Sequence, residues 1–143
     1  QLFEDLPDDF PETDIKHFKG FVDLVLETPD GNLHLIDWKT TSWGWNARRK
    51  SDKITAYQLM LYKTFYSRKH NIPMEKIHTY FALLKRTPKS SNVEIFKLTS
   101  GPKRIENSLR VLNNAISNIG SKNYIKNRLS CSRCEFHETP HCP

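Results

Sequence analysis

A turn signal between two apolar segments is the feature that most constrains the fold. The segment Thr28-Pro29-Asp30-Gly31-Asn32 combines residues that favour tight turns, and it separates the stretches 19–27 and 33–39, which are rich in Val, Leu, Ile and Phe. Two such runs joined by a short polar turn predict a β-hairpin. The stretch 42–46 follows as a loop that carries two tryptophans, Trp43 and Trp45.

The rest of the chain alternates between helical and extended patterns. Apolar residues at helical spacing predict a helix over about 52–69, with Ile54, Tyr57, Leu61 and Phe65 on its apolar face. Stretches 78–85 and 93–98 predict two further strands. Pro102 suits the first position of a helix that Gly120 ends. This order predicts an α/β fold with a central mixed sheet flanked by helices.

The length of 143 residues and a hydrophobic content of 37% suit one compact domain. We expect a core over residues 1–122 and a small cysteine-rich module over 123–143. No apolar run approaches the ~20 residues of a membrane helix, and no leader precedes a cleavage site. These features predict a soluble intracellular protein without a membrane partner. Because residue 1 is not Met, the sequence leaves open whether further residues precede it.

Two aspartates and a lysine form the candidate catalytic set. Side chains alternate along a strand, so Leu35, Asp37 and Lys39 should share one face. Asp23 and Asp37 are equidistant from the centre of the turn, so the simplest register makes them cross-strand neighbours about 5 Å apart. A shift of the register by one residue would send one of the two side chains to the opposite face of the hairpin. The alternative to a functional role is that both aspartates are surface residues that only keep the strand edge soluble.

Paired carboxylates of this kind predict a divalent cation. Two like charges on an apolar hairpin repel each other unless a cation or proton is shared, and hard oxygen ligands suit Mg²⁺ or Mn²⁺. Such a cation could polarise a phosphodiester and acidify a water, while Lys39 stabilises developing negative charge. The residues therefore predict phosphodiester hydrolysis.

Three short motifs in this region resemble those of a known family. Gly20-Phe21-Val22-Asp23, Asp37-Trp38-Lys39-Thr40-Thr41 and Gln58-Leu59-Met60-Leu61-Tyr62 are similar to the G-x-x-D, D-x-K-T and Q-x-x-x-Y motifs of RecB-like nucleases of the PD-(D/E)XK superfamily. The resemblance implies a restriction-endonuclease-like core. It also implies that Asp23, Asp37 and the main-chain carbonyl of Trp38 bind the metal, and that Lys39 is the catalytic lysine. Gln58 and Tyr62 would line the site from the helix.

One part of the family pattern is missing. The family usually has a helix with an acid or histidine ahead of the first motif, and no helical motif precedes Gly20. We expect either that this helix lies outside the chain or that the site is incomplete. The acids available in the segment are Glu4, Asp5, Asp8, Asp9 and Glu12.

All three cysteines fall in the last thirteen residues, at Cys131, Cys134 and Cys142. Such clustering in an intracellular basic protein favours metal ligation over disulfide bonding. The spacing resembles the C-terminal part of the iron–sulfur module of RecB-like and CRISPR-associated exonucleases. The resemblance implies a [4Fe–4S] cluster completed by an upstream cysteine. The alternative is a structural Zn²⁺ site completed by His137 or His141.

Charge is divided unevenly along the chain. Residues 1–37 carry ten acids and two lysines, whereas residues 38–143 carry twenty Lys and Arg and six acids, for a net charge of +6. This division predicts carboxylates that bind cations, surrounded by a surface that attracts DNA. The candidate phosphate contacts are Arg48, Arg49, Lys50, Lys53, Lys85 and Arg86. Trp43 and Trp45 could stack on bases or anchor the core.

The sequence thus predicts a metal-dependent DNA nuclease. An exonuclease acting on single-stranded or end-containing DNA in recombination, repair or phage DNA processing is the leading hypothesis. We expect a helicase or recombination partner, or a homo-oligomer. The alternatives are a structure-specific endonuclease of the same fold and a non-catalytic nucleic-acid-binding module with a zinc knuckle.

Overall fold

A computed structural model describes residues 1–87, 90–125 and 128–140. Six strands are present in this part of the chain: β1 (Leu2–Asp5), β2 (His17–Gly20), β3 (Leu24–Glu27), β4 (Leu33–Thr41), β5 (Ile77–Lys85) and β6 (Val93–Leu98). The helices are α1 (Ala47–Lys50), α2 (Lys53–His70) and α3 (Pro102–Gly120), with short 3₁₀ turns at Met74–Lys76 and Arg128–Arg133. The predicted bounds of the last helix are confirmed.

The main sheet is mixed, as predicted. Its four strands lie in the order β3-β4-β5-β6. Strand β4 runs antiparallel to β3 and parallel to β5, and β5 runs antiparallel to β6. The helix α2 connects the parallel pair β4 and β5, which needs a crossover connection of this kind. The α/β class and the central mixed sheet are therefore confirmed.

The hydrophobic core lies between α2 and one face of the sheet. Leu35 of β4 and Phe81 of β5 are buried against Leu59 and Phe65 of α2. Side chains that alternate with these face the other way, and two of them, Trp38 and Leu84, are exposed. Since Asp37 shares the face of Leu35, the sheet directs this carboxylate towards α2.

The first predicted strand is wrong in its extent. The stretch 19–27 is divided between β2, which ends at Gly20, and β3, which begins at Leu24. Strand β2 pairs with β1 in a separate two-stranded sheet, in which Leu2 lies opposite Gly20. The backbone groups of β2 form their hydrogen bonds with β1 and not with the main sheet. The chain therefore passes from the two-stranded sheet to the main sheet between Gly20 and Leu24.

The predicted apolar face of α2 is also wrong in part. Ile54 is 69% exposed, whereas Phe65 is buried as predicted. The buried face also contains Lys63 and Thr64. The Thr64 hydroxyl donates to the carbonyl of Met60 at 2.9 Å, so its polar group is satisfied within the helix. Because these buried positions are polar, the spacing of apolar residues alone does not identify the buried face of α2.

Within residues 1–87, 90–125 and 128–140, no helix is both long enough and apolar enough to cross a membrane.

Candidate active site

The hairpin of β3 and β4 brings the two aspartates together. Leu24 lies opposite Ile36 in the observed register, and continuing this register by one residue places Asp23 opposite Asp37. Asp23 precedes β3 and is exposed. Its Oδ2 accepts a hydrogen bond of 2.8 Å from the main-chain N–H of Trp38. The register predicted from the turn is therefore confirmed, and one carboxylate oxygen of Asp23 is tied to β4.

Asp37 is an almost fully buried carboxylate, with 2% of its surface exposed. Its Oδ2 lies 2.7 Å from Nζ of Lys39, but no hydrogen-bond donor among the described residues is well aligned with this oxygen. Burial raises the pKa of Asp37; the adjacent Lys39 opposes this shift and the Asp23 charge adds to it. A buried oxygen with spare acceptor capacity is a ready ligand for a cation.

Lys39 connects the strand to helix α2. Its Nζ donates to Oε1 of Gln58 at 3.1 Å, and Nε2 of Gln58 donates to the hydroxyl of Tyr62 at 3.0 Å. Gln58 and Tyr62 lie one turn apart on α2, which places both side chains on one helical face. The contacts join Asp37, Lys39, Gln58 and Tyr62 into a continuous network. Four of the predicted site residues are thus brought together.

Gly20 has a role that the sequence motif alone does not reveal. A Cβ atom at this position would lie 2.6 Å from Cε1 of Tyr62 and 3.3 Å from Cε1 of Phe18. Only a residue without a side chain therefore lets the Tyr62 ring lie across β2. The spacing from Gly20 to Asp23 predicts a motif, but this packing contact is visible only in the tertiary structure.

The oxygen atoms of Asp23 and Asp37 fit a hard divalent cation such as Mg²⁺. This fit is supported by the Oδ2 atom of Asp37, which is buried and accepts no well-aligned hydrogen bond from the described residues. Within residues 1–87, 90–125 and 128–140, no third Asp, Glu, His or Cys completes a group with them. Glu4 pairs with Lys69 at 2.5 Å and Asp5 with His17 at 2.7 Å, away from the two aspartates. The Trp38 carbonyl remains a predicted ligand.

The two loop tryptophans have different environments. Trp45 packs against Phe81 and Phe96, with ring centroids 5.2 and 6.0 Å apart, and is therefore a core anchor. The guanidinium of Arg49 lies 5.3 Å from the Trp45 ring centroid. Trp43, by contrast, is 71% exposed. Of the two predicted stacking residues, only Trp43 presents its ring to solvent.

The predicted basic residues are of two kinds: some form ion pairs within the chain, and others are exposed without one among the described residues. Lys50 and Lys85 both pair with Glu94, the second at 3.5 Å. Arg48 and Lys53 are exposed. Arg86 is exposed and donates to the Ser42 hydroxyl at 3.1 Å.

The predicted cysteine module lies only partly within the described residues. Cys131 is half-buried and Cys134 is exposed, and both are free thiols. Together with the exposed His137 they do not form a group that could hold a metal ion, as judged on residues up to 140. Cys142 and His141 lie outside the described residues, so the metal-binding knuckle remains a prediction.

A mixed sheet that carries two facing aspartates, and a lysine two residues beyond the second one, is the arrangement expected of a nuclease core of the α/β class. A sequence model of the PD-(D/E)XK nuclease superfamily matches residues 3–142. The chain belongs to this superfamily. Neither the search of curated proteins nor that of solved structures found a significant match.

Proposed function

We propose that this chain is a Mg²⁺- or Mn²⁺-dependent deoxyribonuclease of the RecB-like branch. The observation that supports this most directly is the buried Asp37 carboxylate, 2.7 Å from the Lys39 ammonium and opposite Asp23. A structural role alone does not account for a second acid placed beside a buried one, because like charges raise the cost of burial. A shared cation removes that cost.

Asp23 and Asp37, with the Trp38 carbonyl, would hold the cation. When bound, it would supply Lewis acidity at a phosphodiester and lower the pKa of a water molecule. Lys39 would orient the attacking water and stabilise the negative charge that develops on the phosphate oxygens. The 3.1 Å contact to Gln58 restrains the Lys39 ammonium, because a long lysine side chain otherwise samples many rotamers.

Gln58 and Tyr62 act as positioning residues in this proposal. Their hydrogen bond continues from Lys39 into the buried side of α2, where Tyr62 is held by packing. This linkage supports the RecB-like assignment, since the third motif then has a physical connection to the catalytic lysine.

The proposed substrate is single-stranded or end-containing DNA, processed by an exonuclease in recombination, repair or phage DNA metabolism inside the cell. The exposed cations near the site, including Arg48, Lys53 and Arg86, would contact phosphates without reading the sequence. A helicase or recombination partner, or a second copy of the chain, would supply processivity.

We also propose a structural role for the C-terminal cysteines. Cys131, Cys134 and Cys142 would hold a [4Fe–4S] cluster with an upstream cysteine, or Zn²⁺ with His137 or His141. Iron and zinc analysis of protein purified without oxygen, beside a Cys131→Ser/Cys134→Ser variant, separates the two metals from free thiols.

Cleavage of end-labelled DNA tests the nuclease. Wild type is compared with Asp37→Ala and Lys39→Ala in Mg²⁺, Mn²⁺ or EDTA, on linear single strands, linear duplexes and closed circles. Asp23→Ala has a matched control in Glu27→Ala, an exposed acid on the same hairpin, and Lys97→Ala is the control for Lys39. We expect cleavage that needs metal, is lost in all three site variants and is retained in both controls.

The same assay separates the alternatives. Cleavage of closed circles would favour a structure-specific endonuclease of the same fold. Tight DNA binding without cleavage in either metal would favour a non-catalytic binding module with a zinc knuckle. Cleavage that survives Asp37→Ala would refute the proposed site.

A further inference from the structure

A cavity opens beside the proposed catalytic site, at the carboxyl ends of the parallel strands β4 and β5. Its volume is about 550 Å³, and it is lined by Thr40, Thr41, Ser42, Leu84, Lys85 and Arg86. Strand alternation places Thr41 and Lys85 on the sheet face of Lys39, and Thr40 and Leu84 on the opposite face, so the cavity lies at the end of the sheet. Since Thr41 lies opposite Lys85 in the sheet, strand geometry places Lys85 about 8 Å from Lys39, Cα to Cα. A DNA strand bound at Lys39 that continues towards the end of the sheet would therefore pass Lys85, at one side of this cavity, after about two nucleotides.

Several hydrogen bonds brace the loop beside this cavity. The Thr41 hydroxyl donates to the Gly44 carbonyl and accepts from the Gly44 N–H, both at 3.3 Å. Gly44 has a φ of 105°, which a residue with a side chain rarely adopts. On the far side of the loop, Trp45 is fixed in the core. The N–H groups of Arg86 and Thr87 donate to the carbonyls of Thr41 and Ser42 at 2.9 Å.

Trp43 is at the tip of this braced loop, with 71% of its surface exposed. Among the described residues, its ring makes no contact with another aromatic ring or with a cation, unlike Trp45. A Trp side chain has only two rotatable side-chain bonds, and the hydrogen bonds of this loop restrict its backbone, so binding a flat partner should cost little conformational entropy.

The cavity also carries positive charge that the chain does not neutralise. Lys85 and Lys50 share one carboxylate, Glu94, which leaves one positive charge in excess. The guanidinium of Arg86 has no carboxylate within ion-pair distance among the described residues, and its hydrogen bond goes to the neutral Ser42 hydroxyl. A phosphate would satisfy the remaining guanidinium donors.

We propose that this cavity and Trp43 form a nucleotide subsite that admits only an unpaired nucleotide of the DNA. Arg86 binds its phosphate, and Trp43 stacks on its base. This inference rests on the proposed nuclease function and adds the feature that selects single-stranded DNA. A base inside a duplex has both faces covered by its neighbours, so stacking on Trp43 would first require unstacking of that base.

The subsite is tested by binding rather than cleavage. Anisotropy of a labelled oligonucleotide of about 16 nucleotides, single-stranded or as a blunt duplex, is measured in EDTA. Trp43→Ala should weaken single-strand binding about 5- to 100-fold and leave duplex binding unchanged. Trp43→Phe, which keeps an aromatic face, should restore most of the affinity. Tyr124→Ala, at another exposed aromatic residue, is the control.

Arg86→Ala provides a second measurement, of the phosphate contact. The slope of log K against log salt for single strands should fall by about 0.7, the value for one phosphate contact. The Trp43→Ala slope should equal that of wild type, because a stacking contact releases no counterion.

Three outcomes overturn the subsite: no wild-type binding to single strands, equal weakening of single-strand and duplex binding by Trp43→Ala, or no weakening at all. The proposed nuclease function is judged separately. Selective loss of single-strand binding in Trp43→Ala supports the subsite even if wild type never cleaves DNA, whereas cleavage without this selectivity overturns the subsite alone.

Discussion

Gly20→Ala should disturb the active site indirectly, by displacing the Tyr62 ring that packs against Gly20. The new Cβ would lie 2.6 Å from Cε1 of Tyr62, whereas ordinary contacts begin at 3.4 Å, so the ring must move by about 0.8 Å. Tyr62 is buried, so it has little room to move. Its hydroxyl accepts the 3.0 Å hydrogen bond from Gln58, and a shift of this size would break or distort that bond.

The expected cost has two opposing parts. Overpacking of a buried position destabilises a protein by about 1–3 kcal/mol. Alanine also restricts the unfolded chain more than glycine does, which offsets about 0.4–1 kcal/mol, because Gly20 does not have a left-handed backbone conformation. The free energy of unfolding should therefore fall by up to about 2.6 kcal/mol. Cleavage should fall about 10- to 100-fold, since small displacements of catalytic groups have effects of this size.

Urea denaturation and the cleavage rate of the folded protein measure the two effects. In a Tyr62→Leu background, the smaller side chain should remove most of the cost of Gly20→Ala, which a double-mutant cycle detects as coupling. Gly120→Ala is the control: it crowds Thr13, so it should lower the free energy of unfolding without lowering the cleavage rate. A double-mutant cycle that shows no coupling between Gly20→Ala and Tyr62→Leu would refute the packing argument.

Two further predictions concern charged groups. Mn²⁺ at ten times its Kd should raise the free energy of unfolding of wild type by about 1.4 kcal/mol, or roughly 5 °C in Tm, and Asp37→Asn should abolish this shift in differential scanning fluorimetry. Burial lowers the pKa of Lys63, which is 6% exposed and has no ion-pair partner among the described residues. The folded state therefore binds fewer protons than the unfolded state, and stability rises with pH towards the unfolded pKa near 10.5. Lys63→Met should be at least as stable as wild type near pH 7, with an advantage that shrinks as pH rises; a pH-independent loss in urea denaturation would contradict this.

The parts of the site that depend on local geometry were predictable from the sequence. The turn at Thr28–Asn32 determines the register of the hairpin, and that register places Asp23 opposite Asp37. Strand alternation then places Lys39 beside Asp37, and helical spacing places Gln58 beside Tyr62. Each step needs only residues within one hairpin or one helix.

Features that depend on distant residues were not predictable in this way. Strand β1 pairs with β2 across more than ten intervening residues, and this pairing divides the predicted stretch 19–27 into two strands. Lys63 is buried on α2 because Ser100, far along the chain, accepts its hydrogen bond at 2.9 Å. Trp43 and Trp45 lie two residues apart in the same loop, so the sequence does not distinguish them. Trp45 is the core anchor because it packs against Phe81 and Phe96, which are distant in sequence.

The contact between Gly20 and Tyr62 explains why the three motifs belong together. The first motif supplies both Asp23 and the glycine that accommodates the Tyr62 ring. The second supplies Asp37 and Lys39, and the third reaches Lys39 through Gln58. A change in any one motif therefore alters the position of Lys39 relative to Asp37. A protein that needed the hairpin only as a core element would gain nothing from this linkage, whereas a nuclease requires its lysine and carboxylates in one fixed arrangement.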